Sequence, residues 1–91
     1  MNPSEIRYKR DARLPFQEVQ GQAVVVAPAR REVHEFDETA TFLWSVLARE
    51  QTLAELVAAL CDEYEVDVKT AEADVRAFLE LLEERGLVLR A

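Results

Sequence analysis

Between Val33 and Trp44 the sequence changes period at a single residue. Val33-His34-Glu35-Phe36 alternates as a strand does, and Ala40, Leu43, Trp44 and Leu47 recur at helical spacing behind Asp37, with Phe42 and Val46 broadening the apolar face. Aspartate is a favoured helix N-cap because its carboxylate accepts from the free N–H groups of the first turn, so the strand must stop at Phe36 and a helix must follow. No residues remain at that point for a linker. Strand and helix therefore belong to one core, which constrains the fold more than any other feature of the chain.

The flanking segments supply the rest of that core. Phe16-Gln17-Glu18-Val19 alternates, Gln20-Gly21-Gln22 offers a turn, and Ala23-Val24-Val25-Val26 is β-branched enough for a second strand, which together predict a hairpin. Ala27-Pro28-Ala29-Arg30 interrupts the pattern because proline lacks a ladder donor, and Arg31 to Phe36 resumes it as a third strand. The first helix is expected to end near Arg49. Thr52-Leu53-Ala54-Glu55 fits a capping box at the start of a second, with Leu56, Val57, Leu60 and Tyr64 behind it. Asp67 is the expected cap of a third helix, whose inward residues are Ala71, Val75, Phe78, Leu79 and Leu82. Gly86 ends it in the left-handed conformation, and Leu87-Val88-Leu89 follows as an extended tail. The expected fold class is α+β, winged-helix-like, with three N-terminal antiparallel β-strands followed by three α-helices. With 91 residues and no Pro/Gly/Ser linker, the chain has room for one core only.

Charge limits the partners. The formal net charge is −7, and the residues beyond Arg13 hold seven basic side chains against sixteen acids, a balance that repels nucleic acid and anionic membrane. Residues 1–15 are expected as a flexible basic N-terminal tail, solvated at Arg7-Tyr8-Lys9-Arg10-Asp11-Ala12-Arg13 and without an assigned function. Met1-Asn2-Pro3-Ser4-Glu5 lacks the apolar core of an export signal, no run is long enough to span a bilayer, and the single cysteine, Cys61, suits a reducing compartment. Together these predict a cytoplasmic location.

The order of the motifs carries a resemblance. Phe36-Asp37-Glu38-Thr39-Ala40-Thr41-Phe42-Leu43-Trp44, then Thr52-Leu53-Ala54-Glu55-Leu56, Tyr64-Glu65-Val66, Asp74-Val75-Arg76-Ala77-Phe78-Leu79 and Gly86-Leu87-Val88 resemble the PqqD-like family over roughly residues 16 to 89. These are the recognition elements of ribosomally made, post-translationally modified peptides. The resemblance implies that residues 16–91 form a peptide-binding domain, a chaperone or adaptor presenting a precursor (leader) peptide to a modifying enzyme. A radical S-adenosylmethionine enzyme is the partner it implies. Loops at Ala27-Pro28-Ala29-Arg30-Arg31 and Ala48-Arg49-Glu50 depart from the family pattern, so the general role is implied and membership of quinone biosynthesis is left open.

The resemblance further implies a site: the leader adds as a strand beside the third β-strand, over a groove floored by the third helix. That maps to Arg31, Glu32, Val33, His34, Glu35 and Phe36, and to Glu72, Val75, Arg76 and Leu79. Strand addition makes physical sense because an edge offers unpaired N–H and C=O groups that give affinity while side-chain pockets give selectivity. Alternation puts His34 and Phe36 on the core side and leaves Val33 and Glu35 nearer an incoming peptide. The bland reading of the same residues is an edge protected from aggregation by charge.

Other chemistries find little support. His34 reads as a partly buried strand residue with no nucleophile at readable spacing, and Trp44 and Cys61 read as buried core. The acids Asp62, Glu63, Glu65 and Asp67 lack the spacing of a calcium loop. No catalytic residue, cofactor site or metal site is expected. A winged-helix DNA-binding regulator shares the architecture, but Lys69 to Arg85 holds three basic residues against five acids, the wrong sign for a recognition helix. Monomer and homodimer are both left open.

Overall fold

A computed structural model describes residues 6–91. In chain order the elements are β1 (Arg7–Arg10), β2 (Phe16–Val19), β3 (Gln22–Ala27), a 3₁₀ turn (Pro28–Arg30), β4 (Glu32–Glu35), α1 (Glu38–Val46), β5 (Gln51–Thr52), α2 (Leu53–Glu63), α3 (Val68–Glu84) and β6 (Val88–Arg90). The three strands expected from the sequence are β2, β3 and β4, joined as an antiparallel sheet in that order, and the three expected helices follow. The fold class is α+β, as expected. A second small antiparallel sheet, ordered β5-β1-β6, has no counterpart in the sequence pattern.

Each helix starts where its cap dictates. Asp37 accepts from the N–H of Ala40 and Asp67 from that of Thr70, while Thr52 and Glu55 form the reciprocal capping box. Helix α1 closes at Leu47, earlier than the expected Arg49. Gly86, at φ +70°, takes the left-handed conformation that ends α3, and the Leu87 N–H returns to the Leu82 carbonyl at 2.8 Å. Arg31 also adopts a left-handed conformation, φ +55°, its N–H closing the 3₁₀ turn on the Pro28 carbonyl. For this reason β4 begins at Glu32 and not at Arg31.

The core lies between the β2-β3-β4 sheet and the helices. Trp44, Leu47, Leu56, Leu60, Val75, Leu82 and Leu87 are buried in it with Val25. Trp44 meets Phe16 and Phe36 edge-on at 5.9 and 5.5 Å, and Phe36 in turn meets Phe78 at 5.5 Å, the edge-to-face geometry that aromatic quadrupoles favour. Thr41 stands outside the apolar periodicity of α1 and is nonetheless buried. Its hydroxyl accepts from the N–H of Ala23 at 2.8 Å, tying α1 to the start of β3.

The basic segment is structural. Of the expected tail, Arg7–Arg10 is the central strand of the second sheet, pairing with both β5 and β6, and residues 1–5 lie outside the described residues. Arg10 lies over the rings of Phe16 and Trp44 at 4.7 and 5.6 Å and donates to the Trp44 carbonyl. Asp11 is buried and accepts from the backbone and guanidinium of Arg13. Guanidinium over an aromatic face is attractive, and it explains why Arg10 folds back onto the core instead of remaining in water. Cys61 also departs from expectation: it is half-buried and lines a cavity.

Thr41→Val keeps the shape of that anchor but leaves the Ala23 N–H buried without an acceptor, and should destabilise the domain by about 1–3 kcal/mol in chemical denaturation. Acid should also weaken the fold. Hydrogen bonds from Arg13 hold the Asp11 carboxyl below its ordinary range, and those from Thr70 do the same for Asp67. Carboxyls depressed in the folded state contribute stability above their unfolded pKa of about 4, and that stability is lost as pH falls through the lower folded values. Denaturation midpoints should thus be flat near neutrality and fall below about pH 4, and the loss should be smaller in Asp67→Asn, which has no carboxylate there to protonate.

Candidate functional site

Strand β4 is hydrogen-bonded to β3 on one side and is an edge on the other. The Phe36 N–H donates to the Ala23 carbonyl at 2.9 Å, which makes Phe36 and Ala23 a hydrogen-bonded pair. In an antiparallel ladder such pairs alternate, so with Val25 opposite His34 and Ala27 opposite Glu32, these are the next bonded pairs. The N–H and C=O groups of Val33 and Glu35 then point away from β3, to the open edge. Their side chains also lie on the outer face, with Val33 62% exposed, whereas His34 and Phe36 are buried beneath the strand.

Helix α3 flanks this edge. His34 Nδ1 and an Arg85 guanidinium nitrogen are 3.0 Å apart, a bond in which arginine can only donate and the ring nitrogen accepts. The other ring nitrogen, Nε2, lies 3.4 Å from a Glu32 carboxylate oxygen without a hydrogen bond among the described residues. At the opposite end of β4, a depression of about 430 Å³ lies between the start of α1 and α3. It is lined by Asp37, Thr39, Ala40 and Leu43 from one side and Asp74, Ala77, Phe78 and Leu81 from the other. Burial, followed by the carboxylates of Glu38, Glu63 and Asp37, pushes the Tyr64 phenol above its ordinary pKa.

The expected site residues divide into three groups. Glu32, Val33, His34 and Glu35 form β4, Phe36 follows it as a buried residue, and Arg31 lies in the preceding turn. Val75 and Leu79 are core residues with almost no exposed surface. Glu72 and Arg76 form an ion pair at 3.1 Å on the far flank of α3, where they line a separate, largely apolar cavity of about 710 Å³ with Tyr8, Val57, Cys61 and Val68. The α3 flank on this side touches the strand at Arg85, beside His34, and at Phe78, against Phe36, while its Asp74, Ala77 and Leu81 line the depression shared with the start of α1. Its sequence signal is faint: Ala77 and Leu81 are apolar residues outside the main inward stripe, as expected if that stripe has a second neighbour.

Among the described residues no group of histidine, cysteine, aspartate or glutamate is placed to hold a metal ion, and no helix is long and apolar enough to cross a membrane.

Solved structures of similar shape are complexes with leader peptides. TbiB1 in complex with the TbiA(beta) leader peptide superposes with a TM-score of 0.80 at 28% identity, over 88% of this chain and 93% of that one. Lasso peptide synthetase B1 complexed with the leader peptide gives 0.78 at 23% identity, over 90% and 96%. Comparison with curated proteins gives no match. The family model described as coenzyme PQQ synthesis protein D (PqqD) matches residues 22–88, and the chain belongs to this family.

The edge geometry has a direct check in amide hydrogen exchange. The N–H groups of Val33 and Glu35 should exchange orders of magnitude faster than those of His34 and Phe36, which bond to β3.

Proposed function

We propose that this protein is a leader-peptide-binding adaptor, which holds a ribosomally made precursor peptide as an added strand on β4 and presents it to a modifying enzyme. The observation that carries this reading is the outward-facing backbone of Val33 and Glu35, on a strand that α3 reaches at Arg85 and Phe78, with a depression lined partly by Ala77, Phe78 and Leu81 beyond Phe36. Such an edge supplies affinity through main-chain bonds and selectivity through the pockets beside it. PqqD-family membership and the leader peptides bound to TbiB1 and lasso peptide synthetase B1 support the same reading. In this role the chain binds and orients, and the chemistry belongs to its partner, for which a radical S-adenosylmethionine enzyme is the proposed class. Action as a DNA-binding regulator is disfavoured by α3, whose flank beside the open strand begins with Asp74 and whose length carries more acids than bases.

The test is substitution at an outward N–H. Val33→Pro removes a donor that β3 does not use, so the fold should persist while affinity for a cognate leader falls about three- to tenfold, as expected for one lost main-chain bond with local strain. Calorimetric titration with the precursor peptide encoded nearest this gene, alongside amide shift mapping of residues 31 to 36, measures both. Unchanged affinity, or shifts confined to other elements, would overturn strand addition at this edge.

A further inference from the structure

Resting on that reading of β4 as the peptide site, we infer that the groove is charge-polarised: Arg85, anchored by His34, receives an acidic side chain of the incoming strand, and Asp74 with Asp37 receives a basic one.

The Arg85 end is built from three observations. Arg85 is exposed as a residue, yet one of its nitrogens is fixed by a bond to the ring of His34, which is 7% exposed. No carboxylate lies within salt-bridge distance of Arg85 among the described residues, although the chain carries an excess of acids. With Nδ1 accepting from Arg85, the ring turns Nε2 toward the Glu32 carboxylate at 3.4 Å, so that carboxylate faces the histidine and makes no ion pair with Arg85. A guanidinium presents five donors in a planar fork, and the histidine uses one of them. The remainder match a carboxylate, which needs parallel donors. Glu32 and the C-terminal carbonyls of α3 reduce the positive potential here without supplying a close anionic partner.

At the other end the sign reverses. Asp37 uses one carboxylate oxygen to cap α1, and Asp74, across the depression from it, has no ion pair among the described residues. A cationic side chain entering this depression would meet those carboxylates while its methylene stem covered Phe78 and Leu81.

The two ends also define a spacing. Asp74 and Arg85 are about 16 Å apart along the α3 axis at 1.5 Å per residue, and their neighbours on the strand side, Asp37 and His34, are about 10 Å apart, lengths that an extended peptide covers in about three to five residues. Alternate residues of a strand share a face, so the complementary charges should be about four positions apart.

Selection from a random short-peptide library displayed on phage, against the full chain, tests this whatever the sequence of the natural ligand. Enriched peptides should pair an acidic with a basic residue at that spacing. Arg85→Gln should weaken them about tenfold, and Arg85→Glu should regain affinity for peptides whose acidic residue is replaced by arginine. Circular dichroism of each variant separates lost binding from lost fold, and the charge-swapped pair tests the contact even if one variant is less stable. If enriched peptides shift the amides of β4 but show no charge pairing and are indifferent to Arg85, the polarity is overturned while strand addition stands. If they shift only other elements, the reading of β4 itself fails.

Discussion

The position of the open strand depends on the backbone of one residue, Ala23. Its N–H is taken by the Thr41 hydroxyl of α1 and its carbonyl by the N–H of Phe36, so β3, the end of β4 and the first helix are joined at one buried point. A buried amide that loses its partner bears the whole cost of its desolvation, which makes this junction much less tolerant of slippage than the aromatic contacts around it. The aromatic contacts then give bulk to what the hydrogen bonds place. Phe36, directly before the helix cap, carries the connection from strand to Trp44 on one side and to Phe78 of α3 on the other. Because a shift of one residue would turn Phe36 out and Glu35 in, the junction also fixes which backbone groups of β4 face away from β3.

The second sheet secures the same core from its other end. β1 and β6 lie near the two ends of the chain, and their pairing closes a small domain whose single cysteine is free. Arg10 extends that closure inward over Phe16 and Trp44, while the N–H of Arg10 bonds the Leu47 carbonyl and that of Asp11 the Leu87 carbonyl. A domain of this length has little surplus hydrophobic stabilisation, so a cation recruited as an aromatic cover is a physically sensible use of a basic segment. The two sheets therefore divide the work: one ties the ends together, and the other leaves an edge free.

Local signals make most of the architecture legible in the sequence. Asp37, Thr52 and Asp67 are caps whose chemistry acts within one turn, and each begins a helix at the expected place. Alternation from Glu32 to Glu35 likewise assigns the faces of β4 correctly, since the period of a strand is a local property. Where sequence and structure part, the cause is shared. Arg7–Arg10 reads as a solvated tail because its partners, β5 and β6, lie far away in sequence. Thr41 carries no local signal because its acceptor role depends on Ala23. Glu72 and Arg76 fall outside the groove because periodicity identifies the buried face of α3 but not which neighbour lies on each flank. Tertiary placement decides all three, and no spacing along the chain encodes it. Arg85 is invisible to sequence reasoning for the same reason, its contact with His34 spanning 51 positions.

An open strand edge must satisfy two opposing demands. In the proposed role it has to remain unpaired until a peptide arrives, yet identical edges on other copies offer the same backbone groups. β2 is also an edge and is exposed along its whole length, and it meets a helix through Phe16 and Trp44, whereas β4 meets α3 through the His34–Arg85 bond and, just past its end, through Phe36 and Phe78. What distinguishes β4 is therefore its neighbours, with the guanidinium of Arg85 beside His34 and a depression holding Asp37 and Asp74 beyond Phe36. Glu35 places a charge on the outer face of that edge, and two copies aligned edge to edge at this residue would bring like charges together. The same carboxylate imposes little penalty on a peptide whose own side chains alternate suitably. In the proposed role, charge on the edge thus favours a foreign strand over a second copy of the same chain, and protection and recognition rest on the same residue.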